Sequence, residues 1–357
     1  MKTFSDMTPG RLAELIERFA RLRVAVLGDF FLDKYLDVEP SLAEVSVETG
    51  KTAHQVAAVR HSPGAAGTIV SNLAALGAGA GAIHSIGYTG DDGESYELRK
   101  DLASLGCSLE HLHLVPERMT PTYLKPRDRG DPSLSGEHSR YDTKNRAPTP
   151  EHVQRRVVES LDALLPGLDA VIVLDQLEEE DCGVVTGRIV EALAERAERL
   201  PQTIFWVDSR RRIRRFRGVM IKCNQFEVAG WTDPRPGDFV PLDELMPALG
   251  KLRTANGAAV CVTRGGDGMI VTDPEPTIVP AASVDGPIDE TGAGDSATAG
   301  AVLALAAGAR LPEAALVGNL VASITIQQLA TTGTARAEEL PLRLELWRGQ
   351  RREEGVA

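Results

Sequence analysis

The chain alternates short apolar runs with amphipathic stretches. RVAVLGD (23–29), DAVIVLD (169–175) and TIFWVDS (203–209) are each apolar throughout and close on a polar side chain. Runs apolar on both faces predict strands of a parallel sheet covered by helices. GVMIKCNQFE and GAAVCVTRGGDGMIV (257–271) add further strands, and AGAIHSIGYTGDD adds a strand and a turn. Between them lie predicted helices: the charged N-terminus, the small-residue run GAAGTIVSNLAALGA from Gly64, YELRKDLASLGC ending at Gly106, and residues 183–199. A long Ala-rich helix follows from about Ala293 to Ala307, then another through GNLVASITIQQLA. This alternation predicts an α/β fold with a doubly wound, mostly parallel sheet.

Two regions break the pattern. Residues 36–61 mix Val, Thr and Ser with charges in weak alternation, which predicts exposed antiparallel strands, and 109–125 also alternates. There is no internal repeat and no low-complexity linker. The expectation is one domain over 1–357 with a small β lid from about 36–61 and 109–125. PRDRGDPSLSGEHSR (126–140) predicts a polar loop.

Composition narrows the function classes. Of the 357 residues 43% are hydrophobic but only 4% aromatic, so the core must be aliphatic. A count of 39 Lys and Arg against 51 Asp and Glu gives a net charge of −12. That surface argues against nucleic acid or an anionic membrane as the main partner. No stretch is long and apolar enough to span a bilayer, and MKTFSDMTPGRLAELIERFARLR lacks the apolar core of a signal peptide. Cys107, Cys182, Cys223 and Cys261 are scattered, which suits free thiols in a reducing cytoplasm.

The strongest chemical signal is DETGAGDSATAGAVLALAAG, residues 289–308. Gly292, Ala293 and Gly294 open a helix, where free N–H groups and the positive dipole end attract an anion. Asp295 follows at once. A carboxylate there can be a dipole partner alone, or it can accept a proton from a hydroxyl nucleophile beside a phosphate. Phosphoryl transfer needs that second arrangement.

Asp289, Glu290, Thr291, Gly292, Ala293, Gly294 and Asp295 closely resemble the C-terminal signature of the ribokinase-like (PfkB) carbohydrate kinases. The resemblance runs from about Arg23 to Ala335. It implies an ATP-dependent sugar kinase in which Gly292, Ala293 and Gly294 form the anion hole and Asp295 is the base. VLGDFFLDKYL is similar to the family's first strand and sugar loop, placing Asp33 on sugar hydroxyls. SPGAAGTIVSNLAALGA resembles its Gly-Gly signature, with Gly64 and Thr68 at the substrate. CNQFE supplies Asn224 and Glu227 of an Asn-x-x-Glu motif that organises Mg²⁺, through water, and the phosphates. VTRGGDG supplies Thr263, Gly265 and Gly268 on the nucleotide side, and Asn319 falls near the adenine. Asp289, Thr291, Gly333 and Thr334 match positions near a monovalent-cation site, which makes K⁺ a candidate cofactor.

Within the family, SRYDTKN resembles the bacterial D-glycero-D-manno-heptose-7-phosphate kinases, kinase domain only, through Arg140 and Asp142. Their Asp-Pro-Lys stands here as Asp208, Ser209 and Arg210. The acceptor implied is a sugar or a sugar phosphate such as a heptose phosphate. Relatives also lead one to expect a homodimer through the lid. One departure stands out: the family's Gly-Gly-x-x-x-Asn becomes Gly64, Ala65, Ala66, Gly67, Thr68, so Thr replaces Asn. That replacement favours a rival, a sugar- or nucleotide-binding regulator with impaired catalysis; the intact Asp295 and glycine turn oppose it. An oxidoreductase would need an early Gly-x-Gly-x-x-Gly, which is missing.

Other features read as structural. GAGAGA at 77–82 runs from helix to strand, the reverse of the dinucleotide-binding order, and GKT at 50–52 lacks a P-loop's upstream glycine. The arginines of SRRRIRRFRG read as a solvated face, except Arg210 at a strand end, where a phosphate could bind. His111 and His113 share one face of a strand and read as an exposed edge. Asp29 and Asp175 read as caps at strand ends.

Overall fold

The computed structural model describes residues 1–131, 136–329, 331–353 and 355. Ten strands form the main sheet, in the order β1 (Lys2–Thr3), β16 (Thr277–Val279), β15 (Met269–Val271), β14 (Val260–Thr263), β13 (Met220–Asn224), β12 (Ile204–Ser209), β11 (Ala170–Asp175), β2 (Val24–Gly28), β7 (Ile83–Thr89) and β8 (Leu112–Leu114). Neighbours are parallel except around β15, which runs antiparallel to β14 and β16.

Successive residues of the parallel strands bury alternately on opposite faces. Val24, Val26, Ile172 and Leu174 pack with the helices Pro9–Phe19, Ala66–Ala75, Ala293–Ala306 and Leu311–Thr325. Ala25, Leu27, Val171 and Val173 pack with Glu151–Leu164, Gly187–Arg199 and Leu242–Asn256. The core is aliphatic, as the composition required.

From the edge strand β1 the chain crosses to the centre of the sheet at β2, winds outward to β7 and β8, then crosses back to β11. The carboxyl ends of β2 and β11 therefore flank a switch point, where α/β sheets open a ligand crevice. Gly28 ends β2, and a Cβ there would collide with Leu174 O, so the strands close up only with glycine. Asp29 then staples the turn, its carboxylate accepting from Gln176 N (2.9 Å), Leu177 N (3.1 Å) and Val184 N (2.7 Å). Burial, with the Asp175 charge adding to it, raises this carboxyl to about 6 despite those donors.

A second sheet stands beside the crevice, in the order β10 (Tyr141–Thr143), β9 (Thr122–Asp128), β3 (Phe30–Val38) and β6 (Val56–Ala65). A two-stranded ribbon of β4 (Glu44–Val45) and β5 (Thr52–Ala53) extends it. These strands differ from the expected ones. The sheet begins at Phe30, directly after the Asp29 staple, and β3 runs parallel to β9, so it is not purely antiparallel. Leu112–Leu114 leaves this sheet for the edge of the main one, in register with Gly87 to Thr89. The loop expected over 126–140 is partly strand, since β9 continues to Asp128, where Oδ1 meets His138 Nε2 at 2.8 Å. Residues 132–135 of that loop lie outside the described residues.

No helix among the described residues is long and apolar enough to cross a membrane. All four cysteines are buried free thiols. His113 is not an exposed edge residue: it is half-buried, with Nε2 2.9 Å from Ser160 Oγ and Nδ1 accepting from Arg156 Nη2 at 3.1 Å.

Candidate active site

A cleft of about 880 Å³ opens at the carboxyl ends of β11, β12 and β13 and under the small sheet. Its floor is the start of the helix Ala293–Ala306. Gly292 caps this helix with φ +76° and no side chain bonds the cap; the Ala293 N–H donates back to Glu290 O at 3.1 Å, and Gly292, Gly294 and Asp295 line the cleft. Asp295 lies half-buried in that first turn. Burial pushes its carboxyl up to about 7; Lys222 and Arg210 oppose the rise, while Asp208 and Asp33 add to it.

Lys222 and Asp208 escaped the sequence reading as a pair. They are register partners across β12 and β13, and Lys222 Nζ donates to Asp208 Oδ2 at 2.6 Å. A lysine inside the buried run MIKCN was the available signal, because a buried charge requires a partner.

Asn224 and Glu227 stand at the end of β13 and in the short helix Gln225–Ala229. They cap each other: Glu227 Oε2 accepts from Asn224 N at 2.8 Å, and Asn224 Oδ1 accepts from Glu227 N at 2.9 Å. Burial and the Asp208 charge raise the Glu227 carboxyl to about 7, against the Asn224 N–H and Lys222. Thr263 is Asn224's register partner on β14, one strand away from the cleft wall. Gly268 closes the turn after it, where a Cβ would strike Val279 O; Gly265 has φ +56° in the same turn. Neither lines the cleft, and nor does Asn319, whose buried amide donates to Val279 O (2.9 Å) and Pro280 O (3.2 Å).

Asp33, on β3, enters from the small sheet and accepts from Lys125 Nζ at 2.9 Å. Gly64 is adjacent, and a Cβ there would lie 2.5 Å from Asp33 Oδ2. Thr68 lines the wall but turns its hydroxyl back to Pro63 O at 3.5 Å. Asn72, one turn on, ties this helix to the late chain by donating to Gly333 O at 3.2 Å and accepting from Ala335 N at 3.3 Å.

Several cations gather near Tyr123, which the sequence reading missed. Arg140 lies 4.7 Å over its ring and is forked onto Asp142 at 2.7 and 2.9 Å. Lys144 and Lys125 approach the same ring at 5.9 and 6.0 Å. Arg210 and Arg211 share one oxygen of Glu178, both at 3.3 Å. The arginine run is thus not a uniformly solvated face. Arg212 turns inward onto Asp175, which also accepts from Ser209 Oγ at 2.6 Å, and donates to Leu177 O at 2.6 Å.

The cleft thus brings together Asp33, Thr68, Arg140, Arg210, Asn224 and Glu227 with Thr291, Gly292, Gly294 and Asp295. Asp142 stands behind Arg140. Of the residues matched to a cation site, Asp289 Oδ1 accepts from Thr291 N at 3.0 Å, and Gln328 donates to Thr334 O at 2.7 Å. Among the described residues no group of three or more His, Cys, Asp or Glu is placed to hold a metal.

The sequence profile of the pfkB family of carbohydrate kinases matches residues 23–337. The chain belongs to this family. Among its relatives, the bifunctional protein HldE of Caulobacter vibrioides is 30% identical over 334 residues, covering 92% of this chain and 64% of the relative. HldE of Shewanella baltica is 28% identical over 326 residues, covering 90% and 63%. The chain therefore spans less than two thirds of the length of these relatives. Arabidopsis thaliana ribokinase, solved with ribose and ATP, superposes with a TM-score of 0.64 at 15% identity, covering 91% of this chain and 98% of that one. Escherichia coli phosphofructokinase-2, solved with fructose-6-phosphate, gives 0.64 at 18%, covering 91% and 99%. The fold is that of the ribokinases, and the pfkB chain described here is a phosphotransferase.

Proposed function

We propose that this pfkB kinase transfers the γ-phosphoryl group of ATP to a hydroxyl of a sugar that already carries a phosphate, a heptose phosphate being one such acceptor. The observation that carries the transfer is Asp295, seated in the first turn of an uncapped helix that opens on the cleft. The acceptor hydroxyl gives its proton to the Asp295 carboxylate as its oxygen bonds to phosphorus. The bond from phosphorus to the β-phosphate oxygen breaks, and ADP leaves with the electron pair. The N–H groups of Gly292 and Gly294 meet the charge on the phosphoryl oxygens, while the Ala293 N–H is held by Glu290 O at 3.1 Å.

Mg²⁺ fits the donor set present. Glu227 and Asp208 both line the cleft and are the carboxylates that would hold the ion, Glu227 through water. An ion held largely by water and phosphate oxygens needs no more protein ligands than that. When bound, it would neutralise charge on the phosphates. K⁺ forms no part of the function proposed.

A phosphorylated acceptor is supported by the cations at the cleft mouth. Arg210 and Arg211 together face one Glu178 oxygen, and Arg140, its Nε and Nη2 held by Asp142, lies over Tyr123. Guanidinium forks suit phosphate through paired charge-assisted hydrogen bonds. Asp33 is left to hold acceptor hydroxyls through its second oxygen. The test compares sugars with their phosphates by ADP release. Phosphorylated acceptors should win in kcat/KM, and Arg210→Ala should weaken them alone. A better free sugar, or equal loss on both, would contradict the anchor.

The working form we propose is a homodimer joined through the small sheet. Val59 on β6, Val45 on the ribbon strand β4 and Val47 in the ribbon's turn are 50, 71 and 96% exposed, in elements with little core of their own.

A further inference from the structure

Lys222 is the charged residue of β13, set between buried Ile221 and Cys223 and itself only 6% exposed. Burial works against an ammonium, yet Asp208, Asp295 and Glu227 outweigh it and keep Lys222 above its ordinary range. An ammonium carries three donors. The hydrogen bond recorded for this one goes to Asp208 Oδ2 at 2.6 Å.

The position of that ammonium is decided by Gly294. A Cβ on Gly294 would lie 2.7 Å from Lys222 Nζ. The charge therefore sits against the second residue of the helix Ala293–Ala306, at its N-terminal end beside the cleft. If Lys222 served only to neutralise Asp208, the pair could lie anywhere along the register of β12 and β13. It lies instead against the glycine turn at the floor of the cleft.

We propose that Lys222 is a further catalytic residue, whose ammonium, held by Asp208 beneath the Gly292–Gly294 turn, binds the γ-phosphoryl group during transfer. This inference rests on the nucleotide-dependent transfer proposed above. It explains the glycine at 294: any side chain there would occupy the ammonium's place. It also gives Asp208 a positioning role, fixing one donor of Lys222 so that the others point at the phosphate. Around Asp295, burial and the charges of Asp208 and Asp33 favour the neutral acid, and Lys222 and Arg210 the ionised base.

The experiment is calorimetric titration of the full chain with ATP and with ADP, without any sugar, for wild type and Lys222→Gln. Glutamine can still donate to Asp208, so the fold should survive; circular dichroism and a melting curve check this. The ratio of ATP to ADP affinity should fall about tenfold or more, with ADP affinity nearly unchanged, as expected for one charge-assisted contact to the γ-phosphate. In turnover, loss of such a donor should cost about 10²–10³ in kcat, and the acid limb of the pH profile should move to higher pH. If Lys222→Gln does not fold, Lys222→Met combined with Asp208→Asn replaces it, removing both charges of the pair; the same fall in ratio is expected. An unchanged ATP to ADP ratio in the folded variant overturns the proposal. A wild type that turns over no sugar or sugar phosphate would instead overturn the acceptor reading, while the affinity ratio still decides the role of Lys222.

Discussion

Lys125 and Asp33 meet across the small sheet, Nζ 2.9 Å from Oδ1, with the Tyr35 hydroxyl accepting from the same ammonium at 3.4 Å. Burial lowers the Lys125 ammonium, but Asp33 and Tyr35 more than restore it and leave it raised. The pair thus holds the Asp33 carboxylate toward the cleft. Replacing Lys125 with Met strands a buried carboxylate and frees its rotamer. We expect KM for the acceptor to rise about tenfold, the loss of one charged hydrogen bond, with KM for ATP little changed. Initial rates at varied acceptor and varied ATP check this, and an equal rise in both would contradict it.

Glu227 separates a capping role from an ion-binding one. Glu227→Gln keeps an oxygen to accept from Asn224 N, so the melting temperature should hold. It removes the charge proposed to hold Mg²⁺ through water. The Mg²⁺ concentration for half-maximal activity should rise about 10–100-fold, the usual loss for an outer-shell partner. An unchanged Mg²⁺ titration with a lowered melting temperature would make Glu227 a cap alone.

The proposed dimer has a simple check. Light scattering at micromolar concentration should give twice the mass of the chain. Val47→Asp together with Val59→Asp should return the single-chain mass while leaving far-ultraviolet circular dichroism unchanged. A wild type that scatters as one chain would dismiss the interface.

Much of this architecture was legible in the residues. Strands covered on both faces must be apolar at every position, so RVAVLGD, DAVIVLD and TIFWVDS stood out as β2, β11 and β12. The Gly292–Gly294 turn was legible because small residues before an Ala-rich run announce both a helix start and open backbone. The small sheet was placed less well. Asp29 turns the chain straight from β2 into β3, with no polar spacer to mark the change. Leu112–Leu114 alternates like a lid strand but joins β7, a choice made by register and not by pattern. Lys222 and Asp208 lie 14 residues apart and become partners only when β12 and β13 align. Tyr123 carried no motif, and its meeting with Lys144 of SRYDTKN depends on β9 and β10 pairing.

The central claim is that Asp295 removes the acceptor proton. Its carboxyl is raised to about 7 by burial, and a base acts only when ionised. The rate should therefore rise with pH through the neutral range and level off above it. The most direct measurement is ADP release by wild type and Asp295→Asn on the best acceptor found among sugars and sugar phosphates, with ATP binding and melting temperature measured alongside. We predict that the asparagine variant folds and binds ATP like wild type but loses about 10²–10⁴ in kcat, the usual cost of a missing general base, and with it the neutral pH dependence. An Asp295→Asn enzyme turning over near the wild-type rate would contradict the account.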